Sequence, residues 1–187
     1  MARFVIGISG ASGVILGYKC CRALLAEGHN VHLVISSDAH LTAKEEMDNE
    51  SLQKFTKFQH ERLILHAPRD FTAPIASGTF EVQAMGIVPC SMATLAAISC
   101  GLADTLLRRA ADVTLKEGRK LVLVPRELPL SAIHLENMLK LARLGVSIIP
   151  PQPAWYTHPK TIEDVEDFVV GRVLEQMGVK VNYPRWG

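Results

Sequence analysis

Short runs of apolar residues alternate with longer amphipathic segments along most of this chain. The apolar runs predict strands at 4–8, 31–35, 63–65, 85–88, 121–124 and 146–149. The amphipathic segments predict helices at 16–27, at 38–58 with a weak break, from about 91, at 104–117, 131–143 and 161–177. Strands that are apolar on both faces and separated by helices are typical of a parallel sheet covered on both sides. The expected fold class is therefore α/β: a three-layer parallel sheet, Rossmann-like or flavodoxin-like.

Length and composition favour one globular domain. The chain has 187 residues, of which 48% are hydrophobic and 21% charged, and this balance excludes intrinsic disorder. We expect residues 1–187 to form a single domain, with residues 178–187 as a C-terminal tail. Lys and Arg total 20 against 19 Asp and Glu, and the resulting net charge of +1 argues against general nucleic-acid binding.

The cysteines and the longest uncharged segment exclude further classes. Four cysteines include the adjacent pair Cys20 and Cys21, and neither a Cys-x-x-Cys nor a zinc-type Cys/His spacing occurs. This predicts free thiols in a reducing, cytoplasmic setting and no metal site. The N-terminus lacks the apolar region of a signal peptide. Residues 82–103 carry no charge, but Pro89 interrupts them, so we interpret them as a buried strand, a loop and a helix rather than a membrane span.

Small and hydroxyl-bearing residues follow several predicted strands, where open α/β sheets bind their ligands. Residues 9–13 (SGASG) follow the first strand, Ser36 follows the second, and residues 89–94 (PCSMAT) follow the fourth. A glycine-rich strand-to-helix turn suits an anion at a helix N-terminus, and equally a plain tight turn. It matches neither G-x-G-x-x-G nor the P-loop pattern. Ser91 and Thr94 are either helix caps or the second half of a phosphate cradle.

Two helices carry cations that need explaining. Arg109, Asp112 and Lys116 share one face of a predicted helix, a pattern typical of a solvated stripe. Arg172 lies on the apolar stripe of the last helix, beside Val169, where an unpaired charge is unfavourable. Either its guanidinium reaches solvent, or it meets a bound anion, which could belong to a site shared with a neighbouring subunit.

Several longer motifs follow one another along the chain. They are GASG at 10–13, PCSMATL at 89–95, RAADVTLKE at 109–117, LVLVPRE at 121–127, HLENM at 134–138, WY at 155–156 and PRW at 184–186. Together they resemble the UbiX family of flavin prenyltransferases, once described as small subunits of aromatic acid decarboxylases. The resemblance covers nearly the whole chain, and the run from 109 to 138 is its most specific part.

The resemblance implies a flavodoxin-like fold that binds FMN, and an activity that needs no metal. Members of the family transfer a dimethylallyl group from dimethylallyl phosphate to N5 and C6 of reduced FMN, which closes a fourth ring. The product, prenylated FMN, is the cofactor of UbiD-type decarboxylases. Members form dodecamers built from trimers, so the resemblance also implies a homo-oligomer.

The resemblance further implies roles for individual residues. FMN would be held by Gly10, Ala11, Ser12, Ser36, Ser91, Met92, Ala93, Thr94 and Arg126. The prenyl phosphate would be clamped by Arg109, Lys116, Arg126, Tyr156 and Arg172. The catalytic set would be Ser12, Glu46, Lys116 and Glu127. In that set Ser12 and Glu46 relay the proton lost from the flavin, and Glu127 serves proton transfer at the departing phosphate.

The chemistry agrees with these roles. A leaving phosphate needs fixed positive charge where negative charge develops, and an allylic cation is stabilised by flat aromatic faces. The candidate rings are Phe71, Trp155, Tyr156 and Trp186. Many relatives have Lys at the position of Ala93, whose backbone can still serve the phosphate cradle. Some relatives have Trp at the position of Phe71 and Phe at that of Trp155, and these two exchanges are expected to affect the shape of the prenyl pocket.

Two alternatives stay open at this point. An FMN-dependent cysteine decarboxylase of the same fold would carry a Pro-x-Met-Asn motif, whereas this chain has Pro89-Cys90-Ser91-Met92. A non-catalytic flavoprotein, either an electron carrier or a decarboxylase subunit, would not need several cations around a second anion.

Overall fold

The computed structural model describes residues 1–186; Gly187, the last residue of the predicted tail, lies outside the described residues. The strands are β1 Arg3–Ile8, β2 Asn30–Ile35, β3 Leu63–His66, β4 Ala84–Cys90, β5 Lys120–Pro125 and β6 Ser147–Ile148. The helices are α1 Val14–Ala26, α2 Ser37–Glu46, α3 Asn49–Thr56, α4 Met92–Ser99, α5 Leu106–Lys116, α6 Ala132–Arg143 and α7 Ile162–Gln176. Every predicted strand and helix is present, and the weak break at 38–58 separates α2 from α3.

The strands form one parallel sheet in the order β3-β2-β1-β4-β5-β6. The chain builds outwards from β1 to β3 and then returns to β4 on the other side of β1. This is the doubly wound order, in which ligands bind beyond the carboxyl ends of the strands where the direction of building reverses. The predicted three-layer α/β class is confirmed, and the reversal places the residues after β1 and β4 side by side.

Helices cover both faces of the sheet. Helices α1 and α7 pack against each other on one face, in the apolar cluster that contains Leu24. Helices α4 and α5 pack on the other face, in the cluster that contains Ile87. Helix α1 lies very close to β4, since a Cβ atom at Gly17 would overlap the carbonyl oxygen of Val88 and the side chain of Ile8. Only glycine allows this approach.

The long irregular stretch after β3 is held against α5. It contains one short 3-10 helix, Pro74–Ala76. The Nε of Arg109 donates to the carbonyl of Ala76 at 3.1 Å, and Arg119 donates to the carbonyls of Gly78 at 2.7 Å and Phe80 at 2.9 Å. The guanidinium groups of Arg109 and Arg119 therefore fix this loop by donating to its backbone oxygens.

The chain turns back along α7 after that helix ends, and we call residues 179–186 the C-terminal strap. It has no regular secondary structure. The ring of Tyr183 lies over Gly171, where a Cβ atom would overlap it. The ring of Trp186 meets that of Tyr156 edge-on, with 5.1 Å between centroids. Side-chain contacts thus hold the strap on the helix.

Three of the four thiols are buried within the fold, and Cys100 is exposed. Burial raises the pKa of Cys20 to about 12, and it also raises the pKa of Cys21 and of Cys90. These three cysteines are packing residues, whereas Cys100 is open to solvent. The uncharged segment 82–103 forms β4 and α4, and across residues 1–186 no helix is both long and apolar enough to cross a membrane.

Two histidines on neighbouring strands form a buried pair. His32 on β2 is 3% exposed and His66 on β3 is 8% exposed, and Nδ1 of the first lies 2.8 Å from Nε2 of the second. Phe80 covers His32 edge-on. Burial lowers the pKa of His32 to about 4, helped by His66 and by the positive charge of Arg3. Burial also lowers the pKa of His66, against the opposing charge of Asp70.

This pair predicts a loss of stability in mild acid. Both pKa values are lower in the folded chain than in the unfolded chain, so the unfolded chain binds protons first. The contribution of the two uncharged histidines to the unfolding free energy is complete above about pH 6.5. It decreases as the pH falls from there towards 4. For His32 alone the decrease is on the order of 3 kcal/mol. Urea unfolding of wild type and His32→Gln at pH 7 and pH 4.5 measures it.

The substituted chain should lose clearly less stability than wild type between these two pH values. His40→Gln, which removes an exposed histidine of α2, is the matched control and should behave as wild type. Equal losses in wild type and His32→Gln would contradict the prediction.

Candidate active site at the carboxyl edge of the sheet

The turns after β1 and β4 are joined by one buried hydroxyl. Ser9 is 2% exposed; its hydroxyl donates to the carbonyl of Pro89 at 3.0 Å and accepts from the N–H of Ser91 at 2.7 Å. It therefore fixes the glycine-rich turn against the start of α4. Ser9 is not among the site residues predicted from the sequence, although a hydroxyl directly before the glycine turn indicates such a role.

The glycine-rich turn packs tightly against α2. A Cβ atom at Gly10 would overlap the Cβ of Asp38, so any larger residue would push the turn away from α2. Gly13 has φ of 99° and precedes the first residue of α1, a backbone conformation that favours glycine. Both glycines are thus required by local geometry, whatever the turn binds.

Glu46 caps α1 from the end of α2. Both of its carboxylate oxygens accept from the N–H of Gly13 at 3.0 Å, and one accepts from the N–H of Val14 at 3.2 Å. Gly13 provides no side-chain cap itself, so Glu46 supplies the negative charge that a helix N-terminus favours. A ligand anion therefore does not need to occupy this helix end, and Glu46 lines the same cavity as Ser12.

The start of α4 is a second polar helix end at the same edge. The hydroxyl of Ser91 accepts from the N–H of Thr94 at 3.2 Å and donates to the Thr94 hydroxyl at 3.0 Å. Ser36, which caps α2 in the same way, donates its N–H to the carbonyl of Ile8 at the end of β1. The resemblance assigns Ser36, Ser91 and Thr94 to one ligand. The fold places Ser36 after β2, and Ser91 and Thr94 after β4, which are the two strands that flank β1.

Two cavities meet at Ser12 and Arg126. The first, of about 490 Å³, is lined by Gly10, Ala11, Ser12, Leu41, Thr42, Lys44, Glu45, Glu46 and Arg126. The second, of about 250 Å³, lies between α1 and α7 and is mainly apolar, with Ile15, Leu16, Val165 and Val169 in its wall. Glu127 follows Arg126 at the end of β5 and is exposed. The pair of cavities offers an apolar compartment beside a polar one, which suits a ligand with a flat ring and a charged tail.

Tyr156 and Arg172 belong to a separate cluster of side chains that pack on or against α7. Tyr156 lies in the short 3-10 helix Trp155–Thr157, and its ring meets Phe168 at 6.1 Å between centroids. Arg172 pairs with Glu175, three residues further along the same helix. Glu175 was not predicted as this partner, even though an acidic residue at i+3 is the simplest partner for a cation on a helix.

Lys116 and Arg109 do not reach these groups within one copy of the chain. Helix α5 runs antiparallel to the strands: it begins where Leu106 donates to the carbonyl of Pro68, after β3, and it ends at Lys116, shortly before β5 starts. Lys116 therefore lies near the amino edge of the sheet, where it pairs with Glu117 at 2.5 Å. Arg109 is the fourth residue of α5 and pairs with Asp112 at 2.8 Å.

The candidate aromatic residues are also divided. Trp155 is 76% exposed and follows β6, at one end of the sheet, together with Tyr156. Phe71 is 48% exposed and follows β3, at the other end. Trp186 reaches Tyr156 from the strap. One copy of the chain thus presents three groups of candidate residues: the carboxyl-edge cleft, the Tyr156–Arg172 cluster, and the cations of α5.

The fold and the two polar helix ends define a protein of the flavoprotein class, and residues 1–174 match the model of the Flavoprotein family. The flavin prenyltransferase UbiX of Chlamydia trachomatis is 50% identical over 93% of this chain and 91% of the relative. The chain belongs to the UbiX family of flavin prenyltransferases, and the expected family is confirmed.

Two solved structures are similar over nearly their whole length. The structure of AnUbiX (PadA1) in complex with FMN and dimethylallyl pyrophosphate superposes with a TM-score of 0.90, at 43% identity, over 100% of this chain and 97% of that one. The dodecameric FMN-dependent UbiX-like decarboxylase of Escherichia coli O157:H7 superposes with a TM-score of 0.88, at 46% identity, over 99% of both chains.

Proposed function

We propose that this chain transfers a dimethylallyl group from dimethylallyl phosphate to N5 and C6 of reduced FMN and releases phosphate and prenylated FMN. Membership of the UbiX family, at 50% identity to a flavin prenyltransferase, is the observation that carries the proposal. A relative of known structure was crystallised with FMN and dimethylallyl pyrophosphate, which makes the diphosphate a second donor to test.

The residues of the carboxyl-edge cleft fit FMN. Gly10, Ala11 and Ser12 of the glycine-rich turn line the polar cavity, and their small size lets a ligand approach the backbone closely. With the first anion position already filled by Glu46, we place the FMN phosphate at the start of α4. There the hydroxyls of Ser91 and Thr94 and the free backbone N–H groups of Met92 and Ala93 are available. Ala11, Ser12, Ser36 and Arg126 complete the set, and the flavin ring supplies the nucleophilic nitrogen when bound.

Proton transfer is assigned to Ser12, Glu46 and Glu127. Glu46 is fixed by its bonds to Gly13 and Val14 and lines the same cavity as Ser12, so we assign to these two residues the proton that the alkylated ring loses. Glu127 follows Arg126 on the exposed edge and is assigned to the departing phosphate. No metal takes part in the proposed reaction, because fixed cations supply the positive charge that the leaving group needs.

The residues that bind the prenyl phosphate are assigned to two copies of the chain. Arg126 follows β5, Tyr156 follows β6, and Arg172 lies on α7. Lys116 and Arg109 lie on α5 instead, away from the cleft. A complete clamp of these residues therefore needs a second copy. A relative at 46% identity is described as dodecameric, and we propose a homo-oligomer of that size in which Lys116 of one copy serves the cleft of another.

The wider setting follows from the product. Prenylated FMN has to be passed to an enzyme that uses it, and we propose a UbiD-type decarboxylase as the recipient. Four free thiols suit a reducing compartment, and we place the protein in the cytoplasm. Residues 1–187 are proposed to act as one FMN-binding domain with a tail at 178–187.

The product of the reaction is the decisive test. Purified protein is mixed under anaerobic conditions with reduced FMN and dimethylallyl phosphate, and the extracted flavin is analysed by mass spectrometry. We expect the flavin mass to increase by one C5H8 unit, and we expect that increase to disappear in Lys116→Ala. Unmodified flavin with both dimethylallyl phosphate and its diphosphate would overturn the proposed function.

A further inference from the structure

One carboxylate on α7 gathers three donors. Glu175 accepts from Nη1 of Arg172, from the hydroxyl of Tyr183 at 2.6 Å and from Nη1 of Arg185 at 2.7 Å. Tyr183 and Arg185 belong to the C-terminal strap, and the guanidinium of Arg185 stacks over the Tyr183 ring at 4.7 Å. Glu175 is therefore the point where α7, Arg172 and the strap meet. The hydrogen bond from Tyr183 lowers the pKa of Glu175, so the carboxylate stays ionised at neutral pH.

These contacts involve only one nitrogen of the Arg172 guanidinium, Nη1. Its Nη1 donates to Glu175 and also to the oxygen of Tyr183 at 3.1 Å. Among the described residues its Nε and Nη2 have no hydrogen-bond partner, and 43% of the side chain is exposed. The Nε and Nη2 groups form the planar pair of donors that matches two oxygens of a phosphate. The side chain is thus fixed at Nη1 and open at its phosphate-binding edge.

We propose that Glu175 is a positioning residue that holds Arg172 with this open edge ready for the phosphate of the prenyl donor, an inference that rests on the proposed function. Glu175 acts through Arg172 and does not contact the substrate. A free arginine side chain loses rotamer freedom when it binds an anion. An arginine already fixed by a neighbouring carboxylate loses less, so its phosphate contact is stronger.

The experiment compares two Glu→Gln variants of the same helix. Glu175→Gln removes the charge that fixes Arg172. The matched control is Glu163→Gln, whose carboxylate is 73% exposed and lies 3.5 Å from Lys19. Steady-state kinetics with reduced FMN give KM and kcat for dimethylallyl phosphate. Calorimetry gives the Kd of dimethylallyl phosphate, fluorescence titration gives the Kd of FMN, and thermal unfolding reports the fold.

Glu175→Gln should raise both KM and Kd for dimethylallyl phosphate about fivefold to tenfold, as when one charge-assisted contact is loosened. We expect kcat and the Kd of FMN to stay within about twofold of wild type, because the flavin cleft lies elsewhere. Glu163→Gln should match wild type. Glu175→Asp should recover part of the affinity, since a carboxylate is restored.

The double variant shows whether the effect passes through Arg172. In an Arg172→Gln background, Glu175→Gln should cause no further loss of affinity for dimethylallyl phosphate. The inference is overturned if Glu175→Gln equals Glu163→Gln, if the loss persists in the Arg172→Gln background, or if FMN affinity falls in parallel. A wild-type protein that neither binds nor converts dimethylallyl phosphate would overturn the proposed function instead, so the two failures are distinguishable.

Discussion

Replacement of Glu46 by glutamine should slow prenyl transfer at least about 100-fold while leaving flavin binding and the fold in place. A carboxylate can accept the proton that the flavin loses, and an amide cannot. Glutamine nevertheless keeps an oxygen that can accept from the N–H groups of Gly13 and Val14, as Glu46 does. Only the charge at the start of α1 is lost, which corresponds to about 0.3–1 kcal/mol. Single-turnover rates and the Kd of FMN measure the two parts separately.

Glu46→Ala is the comparison that separates chemistry from structure. Alanine removes both the carboxylate and the cap, so it should lower the unfolding free energy by about 1 kcal/mol more than glutamine does. Equal activity in Glu46→Gln and wild type would show that the proton leaves by another route. A parallel loss of FMN binding and activity would reduce Glu46 to a structural role.

Mixed assemblies extend this prediction to the quaternary structure. Glu46→Gln and Lys116→Ala should each be inactive alone, since each lacks one half of the proposed site. When the two variants are co-expressed with different tags and purified as mixed oligomers, some sites combine an intact Glu46 with an intact Lys116 from another copy. Activity should then return. No recovery in verified mixed oligomers would refute the sharing of sites between copies.

Gly17→Ala should lower the unfolding free energy by about 1–3 kcal/mol, the range for an overpacked core. Inside a helix this substitution ordinarily stabilises by about 1 kcal/mol, so the prediction reverses the usual sign. The reason is that the new methyl group would overlap the carbonyl oxygen of Val88. That oxygen belongs to a central strand and cannot move without shifting β4 and the turn that follows it. Urea unfolding provides the measurement.

Gly171→Ala provides the matched control for Gly17→Ala. The position is also a helix-interior glycine, and a Cβ atom there would overlap the ring of Tyr183. Because Tyr183 lies on the strap, it can be displaced without disturbing the sheet, and the loss of stability should be smaller. A stabilised Gly17→Ala chain would mean that α1 can move away from β4 at no net expense in free energy.

The elements and the class of the fold could be predicted from the sequence because their signals are local. Apolar runs flanked by turns identified all the strands, whereas the strand order, with its reversal between β1 and β4, comes from the structure. Helix ends were also readable. Thr161 and Asp164 have the Thr-x-x-Asp spacing of a capping box, and they form that box at the start of α7. The shortest strand, β6, spans only Ser147–Ile148 at the edge of the sheet, although the apolar run predicts a strand at 146–149.

The site was harder to predict because its contacts join distant parts of the chain. Glu46 meets Gly13 across 33 residues, and Ser9 meets Ser91 across 82; no periodicity records such pairings. The family resemblance supplied the candidate residues but could not place them within one copy. The resemblance implies that Lys116 and Arg172 bind one phosphate. Within one copy, α5 and α7 hold these residues on opposite faces of the sheet.

The uneven exposure of the four thiols provides a ready spectroscopic handle. Cys20, Cys21 and Cys90 are enclosed in packed apolar surroundings and resist ionisation, while Cys100 is open to solvent at the end of α4. A maleimide dye should therefore attach at one position without removal of any native cysteine. That position lies at the far end of the same helix whose first turn carries Ser91 and Thr94. A chain labelled at Cys100 can thus serve as a fluorescent reagent for titrations, with the dye one short helix away from the proposed position of the FMN phosphate.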